Sequence, residues 1–146
     1  MVMQVFGFAD KQPKESLPMK IATLIARILL GLIFTVFGLN MFLHFIPAQL
    51  PPGDAGAMSA LMFAHGWFNF IGLLYVIAGV LLLIGRYVGI ALTILGPIIV
   101  VILLFHITLL PQGIGMALFV ALLEIFLIYA YRNHFGDIFS AKHPEA

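Results

Sequence analysis

The chain has 146 residues, of which 63% are hydrophobic and 9% charged, whereas a soluble domain has roughly 45–50% apolar and about 25% charged residues. A chain this short cannot hide the excess in its core, so a lipid bilayer is the expected solvent. The net charge of +1 and the lack of a basic run exclude a nucleic-acid partner, and the absence of cysteine excludes disulfide and thiol chemistry.

Residues 1–19 contain four charged residues and two prolines and show no cleaved-signal pattern, so we expect this segment to stay in the cytoplasm. A first apolar span follows at about 19–44, long enough to cross a hydrocarbon core as a helix. Pro47, Pro51 and Pro52 end it and open an outer loop over 45–66. Within that loop, residues 57–65 predict either a short helix at the membrane surface or an extension of the second span.

Three further spans are predicted at about 67–84, 88–110 and 114–131, followed by a cytoplasmic tail over 133–146. The links at 85–87 and 111–113 are so short that neighbouring helices must be antiparallel. The fold class is therefore all-α, a transmembrane up-down-up-down four-helix bundle forming one domain over 20–132. Lys and Arg occur before the first span, in the 85–87 link and after the last span. The positive-inside rule then places both termini in the cytoplasm (N-in/C-in) of a multi-pass protein of the cell (inner or plasma) membrane.

Two ionisable residues lie deep in the predicted spans, where each costs about 2.5–3.5 kcal/mol on insertion scales. Glu124 precedes Arg132 by eight residues, a depth of about 12 Å at about 1.5 Å per residue. Ala117 and Ala121 share its helical face, which indicates close helix packing, so Glu124 should point into the bundle. Arg27 lies at a similar depth and predicts an intramembrane ion pair with Glu124. The alternatives are an Arg27 that snorkels to the headgroups and a Glu124 that is protonated.

Polar residues also gather toward the outer face, namely Asn40, His44, His65, Asn69 and His106. Converging imidazole and amide groups in an apolar surrounding are typical of a headgroup or quinone site, so a polar pocket is predicted there. The alternative is that each histidine satisfies a nearby backbone carbonyl or faces interfacial water. No metal site is predicted, because no carboxylate or paired histidine accompanies these residues.

Several stretches resemble the DoxX family of small four-span bacterial membrane proteins, over about residues 24–135. They are ARILLGLIF (26–34), Gly38-Leu39-Asn40, AGVLLLIGRY (78–87), LLFH (103–106), LEIF (123–126) and YAYR (129–132). The positions that match the family pattern are Arg27, Asn40, Arg86, His106 and Glu124. The resemblance implies a four-helix membrane bundle and a link to quinone-dependent sulfur oxidation, although most members have no assigned activity. Tyr75 stands where members often carry a carboxylate.

Three functions follow as hypotheses. The first is a quinone-linked redox accessory subunit, with quinone as its cofactor and other membrane or redox subunits as partners. The second is a non-enzymatic structural or assembly subunit of a membrane complex, and the third is a small-solute transporter acting as a homo-oligomer. Whether the chain is an enzyme stays open, and a chain without independent activity is favoured because no catalytic set is recognisable.

Overall fold

The computed structural model describes residues 15–135, which are all-α and contain no strand. The helices are α1 (Leu17–Leu43), α2 (Gly53–Ala64), α3 (Trp67–Ile84), α4 (Val88–Thr108) and α5 (Ile114–Ala130), with 3₁₀ turns at Pro111–Gly113 and Arg132–His134. The all-α prediction is confirmed, and the predicted span boundaries agree with α1, α3, α4 and α5 to within two residues. Most of the predicted N-terminal segment (1–14) and of the tail (136–146) lies outside the described residues.

Four helices of the described chain are long and apolar enough to cross a membrane. Their outward faces carry large apolar side chains, such as Leu122 and Ile125, whose surfaces are 65% and 63% exposed. Exposed apolar area of this extent is unfavourable in water and is matched by acyl chains. The chain is therefore a multi-pass integral membrane protein.

The outer segment between α1 and α3 contains the separate helix α2, which begins at Gly53 and not at the expected residue 57. Asp54 lies in its first turn, where a carboxylate interacts favourably with the helix dipole. Gly66 adopts a left-handed conformation (φ 75°) and separates α2 from α3. Of the two alternatives for this segment, the short helix is confirmed, and the extension of the second span is wrong.

The four spanning helices pack as a ring in the order α1, α3, α4, α5, so that each contacts two neighbours. The interior is filled with side chains from all four. Its largest fully buried residues are Leu30, Leu82, Leu92, Leu95 and Leu127. The short links make successive spans antiparallel, as predicted. Two ends result: the terminal end, where α1 begins and α5 ends, and the loop end, where α1 ends and α2 lies.

Helices α1 and α3 approach each other through four glycines that we call the glycine seam: Gly31, Gly38, Gly72 and Gly79. A Cβ atom added to Gly79 would lie 2.8 Å from the Gly31 carbonyl oxygen, and one added to Gly38 would lie 2.9 Å from the Gly72 oxygen. Both distances are too short for a real Cβ contact, so the two backbones touch. The contact lies on the face of α1 that carries Gly31 and Gly38.

Candidate functional site

His106 lies in the last turn of α4, at the loop end. Its Nδ1–H donates a hydrogen bond to the Ile102 carbonyl oxygen, 2.8 Å away. This bond fixes the tautomer of a neutral ring and leaves Nε2 as a hydrogen-bond acceptor. The ring is half-buried against Gly113 of the next link, where an added Cβ would lie 2.7 Å from Nε2. Glycine at 113 therefore makes room for the imidazole.

Asn40 and His44 together end α1. The Asn40 side-chain oxygen accepts a hydrogen bond from the Ile46 N–H at 2.7 Å, and its carbonyl accepts one from the His44 N–H at 2.9 Å. His44 takes a left-handed conformation (φ 52°), which is typical of residues that terminate a helix. Its exposed imidazole meets the Phe63 ring of α2 edge-on, with centroids 5.8 Å apart.

His65 and Asn69 are exposed at the same end of the bundle, on either side of the break between α2 and α3. The five predicted pocket residues thus share the loop end. Among residues 15–135, however, no side-chain hydrogen bond or ring contact joins any two of them. His106 bonds to a carbonyl of its own helix, which was the alternative expectation for a single histidine, and Asn40 accepts a bond from the Ile46 N–H just beyond α1. The shared polar pocket stays a prediction. No three His, Asp or Glu side chains in the described chain are grouped to hold a metal ion.

Arg27 lies at the terminal end, where its guanidinium packs against Gly85, just beyond α3. Nη1 donates a hydrogen bond to the Tyr131 hydroxyl at 3.4 Å. A cleft of about 260 Å³ opens beside this pair. It is lined by Glu15, Lys20, Thr23, Leu24, Arg27 and Tyr131. Tyr131 also lines a second cleft of about 300 Å³, together with His134, residues of the 85–87 link and the first turn of α4. Tyr131 therefore borders both clefts at this end.

Glu124 is buried on α5, with 3% of its surface exposed, which confirms that it points into the bundle. On the side of α4 it lies beside Gly96, where an added Cβ would be 3.8 Å from Oε1. Neither carboxyl oxygen has a hydrogen-bond partner among the described residues, and neither does Arg27 Nε. The predicted direct pairing of Arg27 with Glu124 is thus not formed, because Arg27 turns toward Tyr131 and Gly85.

The sequence signals missed the partners of these polar groups. Tyr131 was not predicted as a partner of Arg27, yet it accepts the Arg27 hydrogen bond across the bundle. Gly85, Gly96 and Gly113 each lie against a polar side chain, those of Arg27, Glu124 and His106. A sequence signal for these contacts was available, since a glycine lies on the neighbouring helix or link of each of the three polar residues.

These features define a small α-helical membrane protein with polar groups at both ends and one buried acid between them. Comparison of the chain with protein-family models, with curated proteins and with solved structures finds no match.

Proposed function

We propose that this chain is a DoxX-like accessory subunit of a larger complex in the cell membrane, with no catalytic activity of its own. The observation that carries the proposal is the filled interior. The glycine seam brings the backbones of α1 and α3 together, and five leucines from the four spanning helices are fully buried in the interior. A molecule that binds to one copy of the chain must therefore bind on its outer surface. An accessory subunit binds its partners and lipid-soluble molecules in this way.

The quinone-linked form of this role draws its support from His106. Its Nε2 is a half-buried acceptor at the loop end, in a ring whose other nitrogen is already bonded. Such a nitrogen can accept the O–H of a quinol in an apolar surrounding. The chain would then hold the reduced carrier next to a redox partner that performs the electron transfer.

The test compares the variant His106→Gln with the matched control His44→Gln, both purified gently in detergent. Decylubiquinol should raise the thermal unfolding temperature of the wild type and of His44→Gln, and should leave His106→Gln unchanged. Native mass spectrometry should also find quinone on the first two proteins. An absent shift in the wild type, or an equal shift in all three, would reject quinone binding at His106.

The structural or assembly form of the role needs no quinone and is favoured by the close α1–α3 contact, which makes a stiff pair of helices for a partner to pack on. Crosslinking in native membranes separates the two accessory roles from a homo-oligomeric transporter. An accessory subunit is expected to yield adducts with other subunits. Adducts only between copies of this chain, together with solute movement in reconstituted vesicles, would favour the transporter.

The orientation follows from the charge pattern, with both termini in the cytoplasm. The absence of cysteine allows a direct test with single introduced cysteines. A membrane-impermeant maleimide should label Asp54→Cys in intact cells and Ser140→Cys only after permeabilisation. The reverse pattern would invert the topology.

A further inference from the structure

We propose that Glu124 and Gly96 form a proton-binding site inside the bundle, in which the Glu124 side chain is held as a neutral carboxylic acid. The proposal concerns the bundle interior and does not depend on quinone binding or on a partner subunit. It starts from the burial of the carboxyl group, whose oxygens are both enclosed and without a hydrogen-bond partner among residues 15–135.

No basic side chain among residues 15–135 forms a hydrogen bond with Glu124. The buried cluster of the bundle core is apolar, and it includes Leu30, Leu82 and Leu95 from the three other spanning helices. An ionised carboxylate in such a place would lose its hydration and gain nothing in return, whereas the protonated acid carries no net charge. Proton binding therefore allows the Glu124 side chain to remain buried without the cost of an unpaired charge.

The titratable and charged groups on each packed helix are engaged elsewhere. On α1, Arg27 packs on Gly85 and donates to Tyr131, while Lys20 is exposed. On α3, the Tyr75 ring stands edge-on to Phe34, with centroids 4.8 Å apart.

The remaining two helices supply no counter-charge either. On α4, His106 lies at the loop end and bonds to its own helix. On α5 itself, Tyr129 is exposed, with its ring under the Arg132 guanidinium.

Gly96 gives the site its space on the side of α4. An added Cβ there would meet no atom within 4 Å other than Glu124 Oε1. The glycine precedes Pro97, within a helix that continues from Val88 to Thr108. The acid therefore lies beside glycine backbone in the middle of the span, with 3% of its surface exposed.

Infrared spectroscopy tests the proposal because the carbonyl stretch of a carboxylic acid is well separated from the stretches of a carboxylate. The chain has three glutamates, so the double variant Glu15→Gln, Glu145→Gln leaves Glu124 as the only one. We would synthesise this protein with ¹³C-carboxyl glutamate, reconstitute it in lipid vesicles at pH 7, and subtract the spectrum of the unlabelled protein.

The expected result is an isotope-shifted acid carbonyl band at pH 7. The triple variant that also carries Glu124→Gln should lack the band. The proposal is tested by the double variant even if the triple variant does not fold, because the double variant keeps Glu124. An isotope-shifted carboxylate band at pH 7, with no acid band, would overturn the proposal.

Discussion

Two helix pairs of this bundle use glycine for different purposes. Between α1 and α3, glycine faces glycine, and a Cβ added to Gly72 would lie 3.1 Å from the Gly38 carbonyl oxygen. Between α4 and α5, glycine faces a polar side chain: Gly96 adjoins the Glu124 carboxyl, and Gly113 of the connecting turn adjoins the His106 ring.

The difference separates packing from candidate sites. Where backbones touch, any added atom must push two helices apart, so glycine there serves the stability of the fold. At Gly113 the missing Cβ makes room for the polar side chain, whereas at Gly96 an added Cβ would make only an ordinary contact with it. The role of a small residue in a membrane helix therefore depends on which group of the neighbouring helix it contacts.

The largest effect should come from Gly79→Ala in the glycine seam. The new Cβ would lie 2.7 Å from the Thr35 backbone nitrogen as well as close to Gly31, so the two helices must separate. Overpacking of this kind costs typically about 1–3 kcal/mol. Unfolding by denaturing detergent should measure the loss. Gly115→Ala is the matched control, because no atom lies within 4 Å of its added Cβ. Equal stability of the two variants would contradict a backbone contact.

Gly113→Ala should have the next largest effect, because it displaces the His106 ring. The Nδ1–H bond to the Ile102 carbonyl would be lost, at a cost of about 0.5–1.5 kcal/mol. Nitrogen-15 NMR of the imidazole should then show a mixture of tautomers in place of one. Gln112→Ala, one residue away, should leave the spectrum unchanged. An unchanged spectrum in Gly113→Ala would mean that the turn does not position the ring.

The features that the sequence predicts correctly depend on local spacing. Apolar run length predicted the four spans, which correspond to α1, α3, α4 and α5. The shared face of Ala117, Ala121 and Glu124 likewise gave the burial of the acid. In each case the period of the helix alone determines which residues share a face.

The features that the sequence missed depend on how one helix is rotated and shifted against another. Arg27 and Glu124 have similar depths along the chain, yet a rotation of α1 brings Arg27 to Tyr131. At the loop end, Asn40 and His106 bond to the backbone close by in sequence. The Asn40 side-chain oxygen accepts from the Ile46 N–H, and the His106 ring donates to the Ile102 carbonyl.

Tyr131→Phe should have a smaller effect than either glycine substitution. It removes the hydroxyl that accepts the Arg27 hydrogen bond, and at 3.4 Å this bond belongs at the weak end, about 0.5 kcal/mol. A double-mutant cycle with Arg27→Ala isolates the interaction, because Tyr131→Phe should have no further effect in that background. An equal cost of Tyr131→Phe in both backgrounds would show that the two side chains do not interact.

The smallest effect is expected for Gly96→Ala, which tests the contact between α4 and α5 in the same way as Gly79→Ala tests the contact between α1 and α3. The added Cβ would make only an ordinary contact with Glu124 Oε1 at 3.8 Å, and it meets no backbone atom of α5 within 4 Å. Substitutions that create neither a clash nor a cavity usually change stability by less than about 0.5 kcal/mol. The same chemical change is thus expected to be costly at Gly79 and nearly neutral at Gly96. If both variants lost similar stability in denaturing detergent, α4 and α5 would also touch through their backbones, and the space beside Glu124 would not exist.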